Sequence, residues 1–125
     1  WGTLSAIDLV SGKKIWQVPF GHYKELKEKG LITGTENFGG ATATLGNIVF
    51  ATGTMDKMIR AFDSENGQEL WSYEMPFIGS APPSVYEIND EQYIVVPASG
   101  GIVLKMFYPN EVIQGDAVLA FKLRK

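Results

Sequence analysis

The sequence predicts an all-β chain of repeated antiparallel units, and three observations carry that prediction. A spaced pattern, A-x-D-x-x-x-G-x-x-x-W, occurs twice, from Ala6 to Trp16 and from Ala61 to Trp71. A truncated third start, Ala120-Phe121-Lys122, follows near the end of the chain. The apolar runs are short, rich in β-branched and aromatic residues, and separated by Gly, Asn, Asp and Pro, as expected for strands joined by tight turns. A period of about 55 residues marks a supersecondary unit that buries its faces only by stacking on its neighbours. Together these features predict a β-propeller fragment of about two blades with a short helical insertion.

The elements follow in order. Strands over 3–8 and 14–19 form the outer half of a blade, residues 1–19. Residues 20–39 are an insertion. Within it His22 to Lys29 favour helix, with Tyr23 and Leu26 three apart, Glu25 and Lys29 four apart, and Gly30 as a C-terminal stop. Strands over 40–44, 47–52, 57–63 and 69–75 make one complete blade, residues 40–75, with turn chemistry at Gly46-Asn47 and Asn66-Gly67. Strands over 83–88, 92–98 and 116–123 make a partial last blade within 76–125, turned at Asn89-Asp90. Its fourth strand is expected from N-terminal blades outside this sequence, since the chain opens on Trp1 in mid-repeat. Residues 99–115 read as a long loop. Ile102, Val103, Leu104, Met106, Phe107 and Tyr108 make it apolar enough to cover a blade edge, a funnel mouth or a partner.

Each repeat has a physical cause. The small Ala leaves room on the sheet, the Asp accepts from backbone N–H groups of its turn, and the Gly supplies a positive φ. The Trp then offers a flat apolar face with one N–H donor. Both Trp16 and Trp71 are therefore expected to be mostly buried between sheets. Composition narrows the function. The net charge is −3 and the eleven Lys and Arg are scattered, which argues against nucleic acid and acidic membranes as partners. There is no cysteine, so disulfides and thiolate metal sites are excluded. His22 is the single histidine, and no triad or metal-binding spacing surrounds it.

The repeat spacing resembles the tryptophan-docking motif of the pyrroloquinoline quinone (PQQ) dehydrogenases. The text around it, Asn37-Phe38-Gly39-Gly40, Gly46 to Phe50, Pro82 to Glu87, Gln92 to Val96 and Ser99-Gly100-Gly101, is similar to their C-terminal blades, in the manner of the membrane-bound glucose dehydrogenase branch and its sugar, polyol and quinate relatives. The resemblance implies an eight-bladed propeller holding PQQ beside a divalent cation, commonly Ca²⁺, with an Asp as general base for oxidising a sugar, polyol or cyclic alcohol. It implies a periplasmic location at the inner membrane, with electrons passing to membrane quinone. The metal ligands and catalytic Asp of that pattern lie in earlier blades, so no catalytic or metal residue is assigned here. Asp8 and Asp63 belong to the repeats.

Five residues are the cofactor candidates. Asn37, Phe38 and Gly39 lead into the innermost strand, where glycine permits close backbone approach and an amide both donates and accepts. Ser99 and Gly100 follow the strand ending near Val96, where alcohol-oxidising relatives often carry Trp-Gly-Gly. The small Ser99 disfavours a methanol-type pocket. Asn37 also admits a plain structural reading, as an inner-strand turn residue that only hydrogen-bonds backbone, and Gly100 and Gly101 one as a flexible entry to the 99–115 loop. The fragment alone is expected to be inactive, to bind no PQQ tightly and to associate with itself through uncovered edges. The alternative is a non-enzymatic propeller scaffold of the outer-membrane assembly lipoprotein type, and a third class is a carbohydrate-binding or interaction propeller. The Asn37 to Gly40 text and Gly100-Gly101 favour the dehydrogenase.

Overall fold

Three antiparallel sheets form, in chain order. A computed structural model describes residues 1–123; positions 124 and 125, the end of the expected partial blade, lie outside the described residues. Strands β1 (Thr3–Ile7) and β2 (Lys14–Pro19) pair as a ribbon, followed by helix α1 (Lys24–Glu28). Strands β3 (Asn37–Ala43), β4 (Ile48–Thr54), β5 (Met58–Asp63) and β6 (Glu69–Glu74) form a four-stranded meander. Strands β7 (Ser84–Ile88), β8 (Glu91–Ala98) and β9 (Ala117–Lys122) form a three-stranded sheet, with helix α2 (Ile102–Phe107) between β8 and β9.

The two repeats fold identically at the register that matters. Ala6 pairs with Trp16 and Ala61 with Trp71, and the ladder slips immediately after each Ala, which places the small residue opposite the indole and starts the turn with a bulge. Asp8 Oδ1 accepts from the N–H of Val10 and Ser11 at 2.7 and 2.9 Å, and Asp63 Oδ1 from that of Glu65 at 2.7 Å. These backbone donors hold the Asp8 carboxyl below the usual range. Gly67 has φ +75°, and a Cβ there would lie 2.6 Å from Cε3 of Trp16. The same indole donates Nε1–H to the Ser64 carbonyl at 2.9 Å. Trp16 of the first repeat is thus seated on the turn of the second. Trp16→Ala should cost about 2–3 kcal/mol, below the ~3–5 of a fully buried Trp because the indole is half-buried; urea unfolding of the full-length protein measures it.

Trp71 corrects the expectation. It is 39% exposed, stacked on Tyr73 with Phe121 edge-on at 5.3 Å. It borders a groove of about 620 Å³ whose walls include Phe50, Leu70, Ile94, Phe121 and Leu123. The physical reason is that, among the described residues, no turn receives the Trp71 indole as the Ser64–Gly67 turn receives Trp16; Lys122 stands where the two full repeats carry Asp.

Packing of the sheets follows the β alternation. Phe50, Ile59 and Ala61 from the four-stranded sheet and Met75 just after β6 meet Ile94, Val96 and Ala98 of β8, each large apolar side chain contributing about 1.5–3 kcal/mol on burial. Phe20, Ala51 and Phe62, with Leu4 and Val18, tie the ribbon to the other face. The outer edge of β9 has no strand partner among the described residues, and open edges template pairing. Sedimentation of the isolated chain should therefore show concentration-dependent association; a monomer across a wide range would contradict that.

Three boundaries differ from expectation. Strand β3 begins at Asn37 instead of 40, because Asn37 pairs with Thr54 across a bulge that resumes at Gly40 and Thr52. The helix in the insertion is shorter than 22–29 and closes at Gly30, whose N–H reaches Lys27 while that of Leu31 reaches Leu26, both at 2.9 Å. Residues 99–115 are not simply a loop, since they contain α2. Leu104 is buried on Ile78 and Val112, and Lys105 Nζ ties the following turn through the Pro109 and Val112 carbonyls at 2.5 and 2.7 Å.

Candidate functional site

Asn37 stands at the first position of β3, an edge strand of the four-stranded sheet, half-buried, followed by Phe38 at 56% exposed. Its amide donates one long bond, Nδ2 to the Thr35 carbonyl at 3.5 Å, and among the described residues no donor meets Oδ1. Both halves of the amide therefore stay available to a polar planar ligand. Gly39 is explained differently: a Cβ there would sit 2.3 Å from the Thr52 carbonyl oxygen, so the glycine serves the approach of β3 to β4. Gly100 is similar, with φ +86° and a Cβ position 2.3 Å from the Ile113 oxygen. Ser99 is half-buried and its carbonyl accepts from the Gly115 N–H at 3.1 Å.

The two stretches are joined through the segment after β6. Gly79 bridges to Ala98, Gly100 N–H donates to the Ile78 carbonyl at 2.9 Å, and Gly79 lies against the Thr52 side chain. Helix α2 meets β3, and Tyr108 just after it reaches Glu36, one residue before β3 begins.

Sequence reasoning missed a polar cluster beside Asn37. In the turn between β4 and β5, the Asp56 carboxylate pairs with Arg60, and both side chains are buried, 7% and 5% exposed. Thr54 Oγ1 donates to Asp56 Oδ1 at 2.5 Å, and the backbone N–H groups of Met58 and His22 reach the two carboxylate oxygens at 3.2 and 2.9 Å. Burial alone would push this carboxyl up; the Arg60 hydrogen bonds and charge, with Thr54 and Met58, outweigh it and hold it below the usual range. His22 Nδ1 lies 3.0 Å from Asp56 and 3.2 Å from Arg60 Nη2. Burial depresses the imidazole, Asp56 opposes that, and Lys27 and Arg60 add to it.

A second cluster lies one residue before Asn37. Tyr23 from the insertion donates its hydroxyl to Glu36, whose carboxyl is held low by that bond and by Tyr108. Burial and the Glu36 contact push the Tyr23 phenol up. The signals for both clusters were present as residue types, but the partners are 34 to 38 positions apart for His22, beyond any local motif. Among the described residues no three His, Cys, Asp or Glu side chains converge as a metal site. Nor is any described helix long and apolar enough to cross a membrane.

Successive antiparallel sheets in chain order, with a repeat indole seated on the turn of the next repeat, define part of a β-propeller. The family described as "PQQ: Glucose/ethanol/alcohol dehydrogenase, beta-propeller domain" matches residues 1–94, and the chain belongs to this family. It is 38% identical over 107 residues to the glycerol dehydrogenase large subunit of Gluconobacter oxydans, covering 80% of this chain and 14% of that protein. It is 34% identical over 133 residues to the quinate/shikimate dehydrogenase (quinone) of Acinetobacter baylyi, covering 100% of this chain and 16% of the relative. The quinohemoprotein alcohol dehydrogenase of Comamonas testosteroni superposes with a TM-score of 0.72 at 25% identity, over 96% of this chain and 16% of that one. The chain thus spans about one-seventh of the length of these relatives.

Proposed function

We propose that this chain supplies part of the cofactor funnel of a PQQ-dependent dehydrogenase that oxidises a sugar, polyol or cyclic alcohol. In this reading the protein acts in the periplasm at the inner membrane and passes electrons to membrane quinone, with PQQ held beside a divalent cation such as Ca²⁺ by other blades. Residues 1–19 act as an outer half blade, 40–75 as a complete blade and 76–125 as a partial blade, the β9 edge being completed by the missing N-terminal blades. The observation that carries the reading is the open amide of Asn37 at the head of the inner strand, within a chain of this family.

When bound, PQQ supplies the two-electron acceptor for alcohol oxidation. This chain's own part is to position and shield. Asn37 orients the ligand through its amide, Phe38 offers it an apolar face, and Gly39 keeps β3 close enough to β4 for both to project correctly. The Ser99-Gly100 stretch packs through Ile78 behind them. The donor set fits a neutral to anionic polar ligand, and it provides no general base, a role left to another blade.

Titration of the full-length protein with PQQ, followed by dye-linked turnover on glucose, glycerol and quinate, tests the proposal. Saturable binding with turnover on one of these supports it. A full-length protein that binds no PQQ at all replaces it with the non-enzymatic scaffold.

A further inference from the structure

Both ends of the 20–36 insertion are fastened to a single turn of the neighbouring blade, residues 54–56. At the first end, the His22 N–H donates to Asp56 Oδ2, and Gly21 lies against Thr54. At the second, Thr35 Oγ1 accepts from the Met55 N–H at 3.1 Å, and Thr35 N–H donates to the Phe20 carbonyl at 2.9 Å. The next residues are Glu36 and Asn37, and Asn37 pairs with Thr54. The insertion is therefore a closed loop whose feet stand on the turn that also sets the candidate cofactor face.

Within this foot His22 Nδ1 occupies a contested position, between an acceptor, Asp56 Oδ2 at 3.0 Å, and a donor, Arg60 Nη2 at 3.2 Å. One ring nitrogen cannot accept from the guanidinium and donate to the carboxylate at once. With its proton on Nε2 the neutral ring accepts from Arg60 and leaves the Asp56–Arg60 pair intact. Protonated, it turns a donor toward Asp56 and sets a second cation against Arg60 in a site that is three-quarters shielded from solvent. The other charged groups around it are Lys24 and Lys27 of α1, Lys57 of the turn, Glu69 and Glu74 of β6, and Glu111 after α2. Carboxylates and lysines ordinarily titrate well outside the pH 5.5–8 window in which histidine changes charge.

We propose that His22 is a positioning residue for the cofactor face, a latch that in its neutral form pins the insertion to the Asp56–Arg60 turn and in its protonated form releases it. The part concerning the cofactor rests on the dehydrogenase reading; the latch itself does not. Because the imidazole is depressed below its ordinary 6.5 in the closed form, the closed form binds fewer protons than the open one. Closure is then full above about 6.5 and weakens as the pH falls toward the lowered value. One pH unit below 6.5 the linkage is at most about tenfold in the opening equilibrium, a ceiling set by the ordinary histidine value alone.

The test is hydrogen exchange on the full-length protein at pH 8 and 5.5, read as protection factors for amides of residues 20–36, with β4 and β5 amides as the folding control. Wild type should lose protection up to about tenfold between the two pH values. His22→Asn, which can place an acceptor near the Nδ1 position without titrating, should keep wild-type protection at pH 8 and hold it at 5.5. His22→Ala should show low protection at both. A wild type with no pH dependence, or a His22→Asn variant that loses protection as wild type does, overturns the latch. If His22→Ala fails to fold, the wild-type and Asn series still decides. PQQ titration of the same samples separates the two readings. Affinity that falls with acid in wild type but not in His22→Asn supports positioning; an equal fall in both, or no fall in either, overturns it. A wild type that binds no PQQ at either pH removes the dehydrogenase reading, and with it the positioning role, while exchange still decides the latch.

Discussion

Arg60→Ala is expected to destabilise the protein by about 3–5 kcal/mol, the cost of stranding a buried charge when one partner of a buried ion pair is removed. The Asp56 carboxylate would keep its bonds from Thr54 Oγ1 and the Met58 and His22 N–H groups but lose the buried guanidinium that pairs with it. The other Arg60 partner, Glu69, is nearly half exposed and contributes little. Two controls identify the cause. The double variant Asp56→Asn with Arg60→Met removes both charges and should recover most of the loss, since a buried pair exchanged for groups of similar volume is often near neutral. The acid dependence should also weaken in the variant. In wild type the Asp56 carboxyl is lowered, so its contribution is present above about 3.8 and is lost as the pH falls through the lowered value. In Arg60→Ala the two largest lowering causes are gone while burial remains, so the gap between variant and wild type should narrow on acidification. Urea unfolding of the three full-length proteins at pH 7 and in acid measures both; an Arg60→Ala loss within ~1 kcal/mol would mean that the pair is not desolvated.

The strands were legible because most carried two independent signals, a short run rich in β-branched and aromatic residues and a bounding turn residue with a specific backbone demand. Asn47 and the Asn89-Asp90 pair do adopt positive φ, as their turns require. The repeats were legible to the level of single bonds, since Asp8, Asp63, Gly12 and Gly67 act within a few residues of themselves. Helix α2 was not legible. Six residues give less than two turns, too few for a 3.6 period to stand out, and what holds it is Leu104 on Ile78 and Lys105 on two carbonyls, contacts that no window contains. The same limit hid His22. As a single histidine with no triad or metal-binding spacing around it, it gave no signal, and only the fold brings it to Asp56 and Arg60. The burial of Trp71 failed for a related reason. Its repeat matches that of Trp16, but burial depends on what the indole meets, the Ser64–Gly67 turn for Trp16 and only Tyr73 and Phe121 side chains beside an open groove for Trp71.

Asn37→Ala should weaken PQQ binding by the full-length protein about tenfold or more, with little change in fold. A hydrogen bond to a charged or strongly polar ligand contributes about 1.5–3 kcal/mol, and each 1.4 kcal/mol is about tenfold in affinity. The fold should tolerate the change because the side chain's own bond, to the Thr35 carbonyl, is long at 3.5 Å, whereas the backbone pairing with Thr54 is retained by alanine. Gly39→Ala is the informative contrast. Its Cβ would meet the Thr52 carbonyl oxygen at 2.3 Å, so β3 and β4 must separate, and both stability and binding should fall together. Loss of binding without loss of stability at Asn37, and loss of both at Gly39, would distinguish a ligand contact from a strand contact. The isolated chain, which spans about one-seventh of the length of its relatives, should bind PQQ only weakly, because most of the shell belongs to other blades. Equal PQQ titrations and equal turnover for full-length wild type and Asn37→Ala would remove Asn37 from the site, leaving its amide as a cap for the start of β3.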